Sequence, residues 1–171
     1  MSNSLSNPVR ELLLKGTVIP AHPLALDVNR NLDEKYQRAL TRYYLASGAG
    51  GIAVGVHTTQ FEIRLPKYNL YERVLHLAAD EVQKAKLSRP FINVAGIVGP
   101  VDQAVKEAKL AKTLQYDLGL LSNGGLPDLS EDELIDRAQR VADVIPVFGF
   151  YLQPAVGGRV LSFDFWRRFA A

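Results

Sequence analysis

The stretch Gly50-Gly-Ile-Ala-Val-Gly-Val-His-Thr-Thr-Gln60 decides how the rest of the chain is read. It opens as a short apolar run, the pattern of a strand buried on both faces. It then turns directly into an imidazole and two hydroxyls, His57, Thr58 and Thr59. In parallel α/β proteins ligands sit at the C-terminal ends of strands. Core followed abruptly by polar groups is therefore the layout of an active-site strand. A buried strand running into a Thr-rich loop has the same pattern, and the stretch alone leaves both readings open.

Working outward, the same alternation recurs on either side. Upstream, residues 8–15 read as a leading helix with Pro8 in its first turn and Leu12 and Leu13 on its apolar face. Thr17-Val-Ile19 is a short strand ended by Pro20. Asn31-Leu-Asp-Glu34 is a helix start capped by Asn31, with Leu32, Tyr36, Ala39, Leu40 and Tyr43 on one face and Gly48 as the stop. Downstream, Asn69-Leu-Tyr-Glu72 repeats the start. Its helix runs to about Lys86, with Leu70, Val74, Leu77, Ala78 and Val82 facing inward. Residues 91–95 form the next strand, closed by Gly96. A helix opened by Gly99-Pro100 carries Val101, Val105 and Ala108 on its face. Residues 117–121 are a fourth strand, followed by the glycine-rich turn Ser122-Asn-Gly-Gly125. Ser130-Glu-Asp-Glu133 is a capping box before a helix with Leu134, Ala138, Val141 and Ala142 inward. Residues 146–151 are the fifth strand, and 162–169 begin one more amphipathic helix.

Strand and helix thus alternate at roughly thirty-residue intervals, the signature of parallel βαβ units in an α/β fold. Two architectures fit: an open, doubly wound sheet, or a (β/α)₈ TIM barrel of which about five βα units are present, since whole barrels need ~250 residues. No Gly-x-Gly-x-x-Gly follows the first strand. The 171 residues suit a single domain, here residues 1–171, and 47% hydrophobic with 22% charged is an ordinary globular balance. The net charge of +2 is scattered, which argues against nucleic acid as a partner. There is no cysteine, and His22, His57 and His76 lie far apart, so no thiolate or zinc site is expected. No cofactor is expected either. The N-terminus, residues 1–7, lacks the apolar core of a signal peptide, and no run is long enough to span a membrane. The expected compartment is the cytoplasm.

Four places resemble the dihydrodipicolinate synthase and N-acetylneuraminate lyase family of pyruvate-dependent class I aldolases. Gly16-Thr-Val-Ile-Pro20 is similar to the family's opening strand. Gly48-Ala-Gly-Gly-Ile-Ala-Val-Gly-Val-His-Thr-Thr59 is similar to its second strand and Gly-Thr-Thr-Gly-Glu signature. Residues 90–96 resemble the third strand. Ile145-Pro-Val-Phe-Gly-Phe-Tyr-Leu-Gln-Pro154 resembles the fifth, with its Tyr-Asn-x-Pro motif. The match covers nearly all of this chain and the first five of the eight units.

The resemblance implies a lyase or aldolase acting on pyruvate or a related 2-keto acid. In that chemistry a lysine amine forms a Schiff base with the ketone and makes it an electron sink. It implies that Thr58 and Thr59 bind the substrate carboxylate through hydroxyl and N–H donors. It also implies that Tyr151 is the catalytic phenol that shuttles the proton, with Thr58 as its relay. The departures point to a diverged member with another 2-keto acid as its small-molecule partner. His57 and Gln60 replace the signature glycines, and Phe61 or Glu62 stands for its Glu. Leu152 replaces the Asn, Ala21-His22-Pro23 stands where Thr-Pro is usual, and the fourth strand ends without a phenol. The family's Schiff-base lysine lies on the sixth strand, outside this chain. Lys15 precedes a strand, on the non-catalytic side. Lys35, Lys84, Lys86, Lys106, Lys109 and Lys112 fall on predicted helices, and only Lys67 lies in an active-face loop.

His57 is a candidate acid or base by residue type, since imidazole titrates near neutrality, but the resemblance assigns it no role. His22 has still less to recommend it. The charges at Lys106, Glu107, Lys109 and Lys112 read as a solvated helix face. A partial barrel leaves sheet edges and an apolar interior uncovered, so a homo-oligomer is expected. The alternative functions are a non-catalytic fragment or pseudoenzyme that works by association, and an open-sheet small-ligand binder.

Overall fold

The computed structural model describes residues 4–171, with Val156 described by its backbone alone. The N-terminal stretch read above for a leader therefore lies partly outside it, at residues 1–3. The order of elements is α1 (Asn7–Lys15), α2 (Glu34–Ala46), β1 (Gly51–Val54), α3 (Tyr71–Ala85), β2 (Ile92–Ile97), α4 (Val101–Thr113), β3 (Leu118–Leu121), α5 (Glu131–Ala142), β4 (Val147–Gly149) and α6 (Phe163–Ala170). Short 3₁₀ turns occupy His57–Thr59, Phe61–Arg64 and Pro154–Val156.

The sheet is wholly parallel and its strands lie in chain order, β1-β2-β3-β4. This order decides between the two architectures. A doubly wound sheet reverses direction at a switch point so that helices cover both faces. With right-handed crossovers and no reversal, the connecting helices pack on one face and the sheet curls toward a barrel. Strand residues accordingly divide between two apolar layers with period two. Ile52, Val54, Ala95, Ile97 and Leu121 pack outward with residues of α2, α3, α4 and α5. Ala53, Ile92, Val94, Leu118 and Leu120 point inward, where Val9, Leu12 and Leu13 of α1 join them.

The expected first strand is extended but is not a regular strand. Gly50 N–H donates to Val18 O at 3.0 Å, Ala53 N–H to Pro20 O at 2.9 Å, and His22 N–H to Ala53 O at 2.8 Å. Ala21 forms a parallel bridge with Ala53. Pro20 has no N–H, so the ladder breaks where its donor should be. Gly50 permits the close approach, since a Cβ there would lie 1.9 Å from Thr17 Oγ1.

Several local expectations are corrected. The α2 cap is Asp33, which accepts the Tyr36 N–H, because Asn31 is held by Asp27. The buried face of α2 is Gln37, Thr41 and Leu45, while Tyr36 and Tyr43 are exposed. The helix is turned by the hydrogen bonds of Gln37 and Thr41 to His22. Helix α3 starts at Tyr71 with no side-chain cap. The buried face of α4 is Ala104, Glu107, Ala108 and Ala111, so Glu107 is not part of a solvated face. Strand β2 runs on through Gly96 to Ile97, and β4 stops at Gly149, before Tyr151. The Ser130–Glu133 capping box is present as read.

Candidate functional site

The inner face of the sheet encloses an apolar cavity of about 500 Å³ at the C-terminal ends of the strands. Ile19, Ala21, Ala53, Val94, Leu120 and Phe148 form its walls. Its polar side chains are His57, Thr58 and Ser122, set beyond the ends of β1 and β3. Phe61, Phe150 and Leu152 complete the rim, and among the described residues no lysine lines the cavity.

The chain reaches this rim through a sharp change at Gly55, whose φ of +75° favours glycine. A Cβ there would also meet the Tyr71 ring at 2.7 Å. The His57–Thr59 turn follows and separates the two threonines. Thr58 is exposed and lines the cavity. Thr59 is fully buried: its hydroxyl donates to His22 O at 2.7 Å and accepts the Gly55 N–H at 3.0 Å. Its N–H is directed to Val56 O at 3.0 Å. Both donors expected to reach a substrate carboxylate are thus engaged within the protein, and Thr59 straps the turn to the first segment.

His22 anchors that strap. Its ring is buried, with Nε2 2.9 Å from Thr41 Oγ1 and Nδ1 2.9 Å from Gln37 Nε2. Gln37 Oε1 accepts the Ala25 N–H, so the amide nitrogen must face Nδ1. Nδ1 also lies 2.9 Å from Pro23 O, so it faces both a donor, the Gln37 amide, and an acceptor, the Pro23 carbonyl. Burial lowers the His22 pKa, and the Pro23 carbonyl partly opposes this.

Tyr151 is not brought to the cavity. Strand residues alternate faces, and Gly149 points outward, where a Cβ would meet the Phe169 ring of α6 at 2.8 Å. Phe148 and Phe150 therefore point inward, and both line the cavity. Tyr151 is half exposed and borders a neighbouring small hollow with Asn123, Arg159 and Leu161, which Phe150 and Leu152 line as well. Tyr151 follows the end of β4, which stops at Gly149. Phe150 takes the inward position.

A polar cluster supports the rim from outside. Arg64 donates to Glu107 at 2.8 and 3.1 Å and to Gly96 O at 2.9 Å, and it lies 4.0 Å over the Tyr71 ring. The Tyr71 hydroxyl also donates to Gly96 O, at 2.6 Å. Burial pushes the Tyr71 phenol up, and the charge on Glu107 adds to this. Arg137 is buried with neutral partners, Gly99 O, Asn123 Oδ1 and Ser122 O. Burial pulls its pKa down to about 10. It holds the Ser122–Gly125 turn as a structural element. Sequence reading missed both arginines. An arginine whose partner lies 43 residues away leaves no local pattern.

A parallel sheet in chain order, helices on its outer face and a cavity at the strand ends define half of a (β/α)₈ barrel. Solved structures share this fold. A dihydrodipicolinate synthase from Bacillus anthracis superposes with a TM-score of 0.76 at 20% identity, over 91% of this chain and 51% of its own. The synthase from Oceanobacillus iheyensis gives 0.74 at 18%, over 90% and 48%. The N-acetylneuraminate lyase from Mycoplasma synoviae gives 0.70 at 18%, over 90% and 50%. The chain spans about half the length of these proteins and has the fold of the N-terminal part of their barrels. At these identities the likeness establishes the fold. No family model matches the chain, and no curated protein matches it in sequence.

Proposed function

We propose that this chain forms the carboxylate- and ketone-binding half of an aldolase barrel acting on pyruvate or a related 2-keto acid. The observation that carries the reading is the cavity at the strand C-terminal ends. It is apolar except for His57, Thr58 and Ser122, and it lies in a fold shared with dihydrodipicolinate synthases and N-acetylneuraminate lyases. Thr58 supplies donors to the carboxylate, and the strap through Thr59 and His22 keeps it in place. The Schiff-base amine comes from outside this chain in this reading, because among the described residues no lysine lines the cavity.

Titration of the chain with pyruvate, followed by amide NMR, tests the reading. Saturable shifts at Thr58 and Ser122 are expected, weakened by Thr58→Val. The absence of binding by pyruvate or any other 2-keto acid sinks it. Borohydride reduction with pyruvate is expected to leave the mass of the isolated chain unchanged. A covalent adduct on this chain alone would overturn the external lysine.

A second reading is a non-catalytic module that works by association. Among the described residues no strand pairs with the outer edge of β4, and Phe148 is exposed on the inner face. In either reading we place the chain in the cytoplasm as a homo-oligomer. Among the described residues no helix is long and apolar enough to cross a membrane. A monodisperse monomer by light scattering would count against the oligomer.

A further inference from the structure

Among the described residues, no phenol stands on the inner face of this sheet where the catalytic one is expected. Phe150 stands there, Tyr151 borders a different hollow, and the turn after β3 carries Ser122 and Asn123 instead of a tyrosine. Proton transfer at the carbon beside a ketone still needs a group that can hold a proton. Of the side chains that line the cavity, one is of this kind, His57. Its ring is exposed, packs edge-on against Phe61 at 5.7 Å between centroids, and makes no hydrogen bond with another described residue.

We infer that His57 is the proton-transfer group of this cavity, taking for a bound 2-keto acid the role that the family resemblance implied for Tyr151. This rests on the reading of the cavity as a 2-keto acid site. The step balances without a further reactant. An imidazole nitrogen takes a proton from the methyl carbon of pyruvate, the C–H pair becomes the C2–C3 double bond, and the carbonyl π pair moves onto oxygen. The imidazolium then returns the proton to carbon or passes it to the oxygen. The turn that carries His57 is fixed through Thr59 to His22 O and the Gly55 N–H, so the imidazole stands on an anchored support and not on a free loop. Thr58, adjacent in the same turn, faces the same cavity and can hold the carboxylate end.

Enolisation is read directly as exchange of the pyruvate methyl protons in D₂O, followed by proton NMR with the whole 171-residue chain. Binding is followed separately through the Thr58 amide. The chain is expected to accelerate exchange over the buffer rate, by the ~10²-fold typical of a positioned acid–base group. His57→Gln is expected to bring exchange back to the buffer rate while pyruvate still shifts Thr58. Tyr151→Phe is expected to leave exchange unchanged. Exchange that survives in His57→Gln, or that disappears in Tyr151→Phe, overturns the inference, as does bound pyruvate with no exchange above buffer. A Thr58 amide unmoved by pyruvate and other 2-keto acids instead removes the underlying reading, and the inference with it.

Discussion

Replacing Glu107 with alanine should unfold this protein more readily than any change at its exposed charges. The carboxylate accepts from Arg64 at 2.8 and 3.1 Å, from the Val98 N–H at 3.1 Å and from Gln103 Nε2 at 2.9 Å. Both ionic side chains are enclosed, Arg64 at 9% exposure and Glu107 at 8%. One Arg64 nitrogen, Nη1, already lacks a hydrogen-bond partner and rests near the Tyr71 ring. Removing Glu107 leaves that guanidinium buried, with Gly96 O as its remaining acceptor. Breaking a buried pair in this way costs about 3–5 kcal/mol, a large part of the ~5–15 kcal/mol that holds a domain together. Urea unfolding followed by the single tryptophan, Trp166, and by circular dichroism measures it. With a slope of about 2 kcal/mol/M, the midpoint should fall by roughly 1.5–2.5 M. The double variant Arg64→Met, Glu107→Leu should recover most of the loss, since no buried charge remains. A loss below about 1 kcal/mol in Glu107→Ala would falsify the enclosure of Arg64 between α3 and α4.

Three further outcomes are expected. Thr59→Val should lower stability by about 2 kcal/mol, because a buried acceptor and a buried N–H lose their partner; Thr58→Val should stay within about 0.5 kcal/mol; denaturation of the pair separates strap from ligand contact, and equal losses would refute the division. His22 is held below its ordinary value of 6.5. The unfolded chain therefore takes up its proton first as pH falls, and the stabilisation is complete above about pH 6.5 and declines below it. Melting temperatures between pH 7.5 and 5 (a range of about 2.5 units) should show this decline, and His22→Gln should flatten it; an unchanged slope in the variant would assign the decline to other groups. Gly50→Ala should displace the segment at 17–21 and lower stability by ~1–3 kcal/mol, seen as faster hydrogen exchange at His22 and Ala53; exchange like that of the parent would show that Thr17 yields without cost.

The composition and hydrophobic periodicity of the chain determined that strands and helices alternate, where most of the elements lie, and that β1 runs into polar groups at His57 and Thr58. These are local properties, set by neighbours a few residues apart. The Ser130 capping box was legible for the same reason: its hydrogen bonds lie within one helical turn. The resemblance of the strand ends to one family identified the barrel, and the structures of similar fold agree with it. What local pattern could not reach was the choice of partner across the fold. Chain-order packing of the strands separates the barrel from an open sheet, and it is a fact of pairing between segments some thirty residues apart. The buried face of α2 follows from a histidine in the preceding loop, and that of α4 from an arginine on the turn after β1. The decisive case is the fifth strand. Side chains alternate with a period of two within the strand, and beyond its end at Gly149 the path of the chain decides which residue reaches the cavity. Sequence reading placed a phenol at the cavity; in the structure Tyr151 follows the end of β4 and borders a neighbouring small hollow, while Phe150 and His57 line the cavity.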